Sequence, residues 1–398
     1  MSPRRPPRTV DRPTVQSPEF VIDELLADTS VRTIVCTGSG GVGKTTMAAA
    51  VGLRAAERGR RVVVLTIDPA RRLAQALGLG VLDNLPAAVP GVDPSSGGSL
   101  QAMMLDMKRT FDEVVEQHAA PDKAAQILAN PFYQAVSSSF AGTQEYMAME
   151  KLGQLRAQAD RDGSWDLIIV DTPPSRSALD FLDAPKRLGS FLDGRFIRLI
   201  SAPAKAGGRV YLRALSAGVA MATNALGKIL GGQMLTDVQT FVAALDTMFG
   251  GFRERADATY ALLKEPSTAF VVVATPERDA LREASYFIER LGQERMPLAG
   301  VVLNRVRTVA ADTLSGARAT ALAEDLQEVD PDSPTIGILH AHAELAATAS
   351  RHTAQAERFV TIHPGVPMTK VPASARDIHD LTALRQIGAA LSGETEPG

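Results

Sequence analysis

Cysteine is almost missing from this chain of 398 residues, which carries Cys36 alone. One thiol closes no disulfide within the chain, and it cannot build the multi-thiolate cage that holds a structural zinc or a soft metalloid. Charge of one sign is not in surplus either: the net charge is −3 at pH 7 and the pI is near 6.1. That balance argues against nucleic acid or an acidic surface as a partner. Long apolar runs are lacking too. The stretch LSAGVAMATNALGKILGG is broken by Gly218, Asn224, Gly227 and Lys228, and it falls short of the roughly 20 apolar residues that a membrane span needs. No signal-like apolar region opens the chain. The expectation is a cytoplasmic protein in a reducing compartment, with no integral membrane segment.

With 45% apolar and 22% charged residues, the chain can bury a large core, as one big α/β domain or two smaller ones. Its first residues, with Arg4, Arg5, Arg8 and Arg12 among Pro3, Pro6, Pro7 and Pro13, have no apolar face to bury. Residues 1–30 are expected to form a disordered basic tail and lead-in, with a short helix over 20–26.

The chain is organised around residues 33–46, TIVCTGSGGVGKTT. A short β-branched run precedes the glycines and a helical pattern starts at Lys44, so the glycines sit in a strand-to-helix turn. Gly38, Gly43, Lys44 and Thr45 fit the spacing G-x-x-x-x-G-K-[ST], with Gly40 and Gly41 inside the loop. Glycines let consecutive backbone N–H groups face one concavity, and the helix N-terminus adds positive dipole. Lys44 can then reach the β- and γ-phosphates of a nucleotide, and Thr45 can ligate Mg²⁺.

Two further apolar strands end in acids. Residues 61–67, RVVVLTI, run into Asp68, and residues 165–170, WDLIIV, run into Asp171. In doubly wound folds, chemistry collects at the carboxyl ends of the strands, so both acids are expected to face the crevice of Lys44. Asp171 fits the Walker-B position, whose carboxylate holds Mg²⁺. Asp68 is a candidate for orienting water, or a turn residue before proline. More strands are expected at 269–274, 298–303 and 366–371, and helices at 277–291, 341–360 and 377–391. The fold class is α/β, a doubly wound, mostly parallel sheet with a helical subdomain inserted at about 103–162 and 176–264. The P-loop ATPase domain is expected to span 31–398.

Five motifs carry a family resemblance: GSGGVGKTT (38–46), TIDPARRLAQALG (66–78), DTPPSRSALDFLD (171–183), VATPERDALREA (273–284) and VVLNRV (301–306). In order and spacing they resemble the ArsA-type anion-transporting ATPases, which include the arsenite-pump ATPase and the targeting factor for tail-anchored membrane proteins. The resemblance implies that Gly40, Gly41, Val42, Gly43, Lys44, Thr45 and Thr46 form the phosphate loop. It implies that Asp68 is the switch I acid, that 171–177 is switch II and that Asn304 reads adenine. An Asn side chain offers the donor and acceptor that an adenine edge requires, although Asn304 taken alone also suits a strand-end turn. ATP and Mg²⁺ are the implied cofactors.

The chain also departs from the pattern. The family's loop carries a lysine that crosses a dimer interface, at the position held here by Ser39. With Cys36 alone, neither the zinc pair of the targeting factors nor the metalloid cysteines of the pump are present. The implied partner is a paralogous ATPase subunit in a heterodimer, or a second copy in a homodimer.

Apolar stripes at Met103, Met104, Met107, Phe111 and Val114, at Met234, Val238, Phe241, Leu245, Met248 and Phe252, and around Phe191 to Ile200 suit helices that pack on one another or bind a hydrophobic protein client. His340, His342 and His352 lack the neighbours a metal site needs. The reading that results is Mg-dependent ATP hydrolysis driving a dimer between open and closed states that act on a client or partner. A non-catalytic ATP-binding scaffold subunit is the alternative. A partition or division-site ATPase would want a basic face, and the C-terminal DIHDLTALRQIGAALSGETEPG is neutral to acidic.

Overall fold

The computed structural model describes residues 17–68, 72–131, 133–134, 143–173 and 254–394. Within them β1 (Thr33–Gly38), β2 (Arg61–Thr66), β3 (Ala87–Ala88), β4 (Ser99–Met104), β5 (Leu167–Asp171), β6 (Thr268–Ala274), β7 (Leu298–Val306) and β8 (Met368–Pro372) form one sheet. Its order is β3-β4-β2-β5-β1-β6-β7-β8. All neighbours run parallel except β3, which is antiparallel to β4. The expected doubly wound α/β sheet is what the chain forms.

Helices among the described residues include α1 (Ile22–Ala27), α2 (Lys44–Glu57), α3 (Arg72–Ala76), α4 (Met107–His118), α5 (Pro121–Leu128), α6 (Thr143–Asp162), α7 (Arg278–Glu294), α8 (Gly316–Val329), α9 (Pro334–Ile362) and α10 (Leu381–Leu391). The central strands β1, β5 and β6 are buried along their whole length, because helices cover both faces. Side chains alternate between the two layers. Ile34 and Cys36 of β1 join Val62, Val64, Ile169 and Val271 in a core with Met47 and Leu53 of α2 and Leu384 of α10. Val35 points the other way, into a core with Val63, Leu65, Val170 and Val272, closed by Leu152 of α6 and Phe287 of α7. Met47 and Leu53 are fully buried, and each such side chain contributes about 1.5–3 kcal/mol by leaving water.

Arg60 fastens the lower end of this frame. Its guanidinium donates to the Leu26 and Val31 carbonyls at 3.1 and 2.8 Å and to Asp166 Oδ1 at 2.5 Å. The connection into β1 and the start of β5 are thereby tied to the turn before β2.

Sequence and structure part in several places. β4 covers Ser99–Met104, where Met103 and Met104 were read as part of a helical apolar stripe. SLQAMM holds no β-branched residue, and its pairing with β2 overrides a weak local preference. Met103 therefore lies in a strand, while Met107, Phe111 and Val114 sit on α4 against the core. The helix expected at 341–360 starts earlier, at Pro334, and pairs with α8, which was not among the expected helices. Residues 330–333 join the two helices, and Pro334 occupies the first turn of α9, where its missing N–H costs nothing. Residues 1–16, the stripe at 234–252, the clusters at 191–200 and 215–232, and residues 174–177 of the expected switch II lie outside the described residues.

Candidate functional site

The strand order brings the carboxyl ends of β2, β5 and β1 side by side. Asp171, the last residue of β5, stands in register with Cys36 of β1 on one side and with Thr66 of β2 on the other. The loop that follows β1 therefore arches directly beside Asp171. Two glycines shape the arch. At Gly38 an added Cβ would fall 2.0 Å from the Val273 carbonyl oxygen, so nothing larger fits between β1 and β6 there. Gly43 takes φ +97° at the cap of α2, and a Cβ on it would lie 2.4 Å from Asn304 Nδ2.

Gly40 and Gly41 form an exposed crest, Val42 is buried beneath it, and Thr46 is half-buried one residue beyond Thr45. The N-terminus of α2 has no side-chain cap, so its first amides remain available to an anion. Lys44 is 7% exposed and folds back over the loop, with Nζ donating to the Ser39 carbonyl at 2.8 Å. Burial pulls the Lys44 pKa down, while the charges of Asp171 and Asp68 pull the other way.

Asp171 is fully buried. Burial raises its carboxyl to about 6, against Thr45, Thr66 and Lys44, which pull it down. Its two oxygens differ. Oδ2 accepts the Thr66 hydroxyl at 2.8 Å, whereas Oδ1 has no hydrogen-bond partner even though Thr45 is close enough to stabilise the carboxylate. A buried carboxylate oxygen without a partner is costly unless something else satisfies it. Beside the Thr45 hydroxyl, that donor set suits a hard divalent cation such as Mg²⁺. Asp68 follows β2, half-buried, with its backbone N–H 3.3 Å from Thr66 Oγ1.

Asn304 sits near the end of β7, 6% exposed, and its amide donates to the Val42 carbonyl at 2.7 Å. Beyond the crest a cleft of ≈ 310 Å³ is lined by Ser39, Gly40, Gly41, Glu277, Glu283 and Arg305, among others. Ser39 Oγ and Glu283 Oε2 are buried there without partners. A larger groove of ≈ 1790 Å³ lies along β8, α9 and α10, away from the phosphate loop. Size does not mark the site here; the glycine arch, the lysine and the acid do.

Sequence reasoning did not single out Thr66 or Gln144. Thr66 is the strand-end hydroxyl between both acids, and Gln144 donates to the Ile67 carbonyl at 2.8 Å from the start of α6. A signal for Thr66 exists in its place two residues before Asp68. Gln144 has none, because only the fold brings α6 to β2. Cys36 is inert, its thiol pushed up by burial and by Asp171 beside it.

Several known proteins that resemble this chain in sequence are named as ATPases. The chain is 29% identical over 161 residues to the arsenical pump-driving ATPase of Escherichia coli, covering 39% of this chain and 26% of that protein. It is 26% identical to ATPase get3 of Schizosaccharomyces pombe, covering 72% of this chain and 76% of the relative. It is likewise 26% identical to the ATPase ASNA1 homolog of Cryptosporidium parvum, covering 70% and 66%. The sequence pattern of the anion-transporting ATPases matches residues 31–320, with the phosphate loop, both acids and Asn304 inside the match, and on that match the chain belongs to the anion-transporting ATPase family.

Proposed function

We propose that this protein is a Mg-dependent ATP phosphohydrolase that works as a nucleotide-driven switch between open and closed dimers. The observation that carries the reading is the pairing of an uncapped glycine arch and Lys44 with a fully buried Asp171 whose Oδ1 has no partner. Such a site is built around something anionic and something cationic at once.

In this reading the loop amides of residues 40–46 and Lys44 hold the β- and γ-phosphates and stabilise charge that develops on the γ-phosphoryl oxygens. Thr45 and Asp171 hold the metal, and when bound Mg²⁺ supplies neutralising charge and fixes the phosphate orientation. Asp68 orients a water in line with the γ-phosphorus. The water oxygen forms the new P–O bond, the bond to the β-γ bridging oxygen breaks, and the water's proton leaves with phosphate. Asn304 contributes to the adenine side. The layer of α4, α5 and α6, joined to the site through Gln144, is the route by which the nucleotide state reaches a protein client or partner.

Cytoplasmic residence fits the composition, and among the described residues no helix is long and apolar enough to cross a membrane. Ser39 favours a second reading, in which this chain is the ATP-binding scaffold of a heteromeric complex, because the loop lacks the lysine that would act across a dimer interface. Turnover by the purified chain, with and without Mg²⁺ and beside Lys44→Ala, separates the two. Metal-dependent phosphate release that Lys44→Ala abolishes supports the enzyme. Tight ATP binding with no release, alone or in its native complex, supports the scaffold.

A further inference from the structure

Thr66 closes β2 and is 1% exposed, and its one hydroxyl is used twice. Oγ1 lies 2.8 Å from Asp171 Oδ2 and 3.3 Å from the Asp68 backbone nitrogen. A hydroxyl has one proton and two lone pairs. The backbone N–H can only donate, so Thr66 accepts from Asp68 and gives its own proton to Asp171. The terminal torsion of an Asp side chain is soft. With that proton Oδ2 is held, and Oδ1 makes no hydrogen bond although Thr45 also stabilises the carboxylate.

The same oxygen fixes where the segment bearing Asp68 leaves the sheet. The surrounding main chain is secured independently: Leu105 N–H donates to the Thr66 carbonyl at 2.9 Å, Ile67 N–H to the Asp171 carbonyl at 3.1 Å, and Gln144 Nε2 to the Ile67 carbonyl at 2.8 Å. Removing the hydroxyl therefore leaves the strand end in place and removes only the bonds that it makes to Asp171 Oδ2 and to the Asp68 backbone.

We propose that Thr66 is a positioning residue of the phosphate site, whose hydroxyl orients the Asp171 carboxylate toward the metal side and anchors the start of the Asp68 segment in one stroke. This rests on the reading of the site as a Mg-dependent ATPase. One buried oxygen thereby touches the segments of both acids.

Thr66→Val keeps the volume and β-branching and removes the hydroxyl, while Thr66→Ser keeps the hydroxyl and removes the methyl group. Three quantities are measured on the full chain: kcat and KM for ATP, affinity for a non-hydrolysable ATP analogue with and without Mg²⁺, and thermal melting. A lost hydrogen bond to a charged group predicts a kcat about ten- to a hundredfold lower in Thr66→Val. The Mg²⁺-dependent gain in analogue affinity should shrink too, melting should stay close to wild type, and Thr66→Ser should recover both quantities. A Thr66→Val protein with wild-type kcat and an undiminished Mg²⁺ gain would overturn the proposal. So would a Thr66→Ser protein as impaired as Thr66→Val, which would assign the effect to packing. The affinity measurement needs no turnover, so it decides the matter even where hydrolysis awaits a partner. Should wild type and Lys44→Ala bind the analogue equally, the phosphate-loop reading itself fails, and this inference with it.

Discussion

Asn304 Nδ2 donates to the carbonyl oxygen of Val42 at 2.7 Å, tying the end of β7 to the underside of the glycine loop. Its Oδ1 accepts the Arg305 backbone N–H at 2.9 Å. One amide thus braces the loop and the strand end together. An amide has a second N–H and a second acceptor lone pair, so capacity for an adenine edge remains.

Asn304→Ala should therefore show two losses. Affinity for ATP and GTP should fall together by about 1 kcal/mol as the brace on Val42 disappears, and ATP should lose a further 1–3 kcal/mol, roughly the cost of an unpaired polar edge. Competition binding with both nucleotides separates the shared part from the selective part. Equal losses would leave Asn304 as a brace and remove it from base recognition.

Asp68→Asn preserves the side-chain volume, and the backbone bond from residue 68 to Thr66 does not depend on the charge. ATP and Mg²⁺ affinity should stay within a few-fold while turnover falls on the order of a hundredfold, as for a group that positions the nucleophile. Single-turnover hydrolysis measured beside equilibrium binding checks this. A variant that loses nucleotide affinity to the same extent as Lys44→Ala would take Asp68 out of that role.

The central strands and the glycine loop were legible because each rests on a local rule: short apolar runs rich in β-branched residues for β1, β2 and β6, and glycine spacing for the turn after β1. Asp171 was legible for the same reason, as an acid closing an apolar strand. β4 was not, since SLQAMM becomes a strand only through its register with β2, and α8 was hidden behind the turn residues on either side of it. Ser39 could be read as a departure in sequence, but its buried, unpartnered hydroxyl could not. The role of Thr66 depends on Asp171 lying in register across the strand gap, a relation between residues far apart in the chain that no spacing rule contains.

Stability near the nucleotide helix has a titratable part. Asp23 of α1 receives a two-pronged ion pair from Arg54 of α2, at 2.6 and 2.7 Å, with Arg58 beside it. Burial raises the Asp23 pKa, and the two arginines outweigh that and hold it below the ordinary value. The sign follows: a carboxyl depressed on folding stabilises the protein above its unfolded pKa, and that contribution fades as pH falls through the folded value. Asp23→Asn should cost about 1 kcal/mol at pH 7, the scale of a partly exposed pair with good geometry. In urea titrations the difference from wild type should begin to close as pH drops below about 3.9. A gap unchanged down to acid unfolding would mean that the pair's charge is not what holds α1 on α2.

If the chain closes as a dimer around nucleotide, as proposed above, Ser39 bears on which partner suits it. A closed dimer crowds phosphate charges near one interface, and two copies of this chain would meet with Ser39 on both sides and carboxylates from Glu277 and Glu283 in the adjoining cleft. Neither copy brings the neutralising lysine, so self-pairing around ATP should be weak. A paralogue with a lysine at this loop position would supply the charge, and the carboxylates of the cleft favour a basic partner surface over a like-charged one. The expectation is slow hydrolysis by the chain alone and ATP-dependent pairing with such a subunit. An arginine supplied in trans raises phosphoryl-transfer rates by 10³–10⁵, so a lysine supplied in trans is expected to give roughly one to three powers of ten. Light scattering and turnover, measured with ATP on wild type and on Ser39→Lys, each alone, provide the test. Ser39→Lys should dimerise with ATP and turn over faster than wild type. If wild type already dimerises and hydrolyses ATP as fast as the variant, the charge missing at residue 39 is no pairing code, and the chain works as a homodimer by other means.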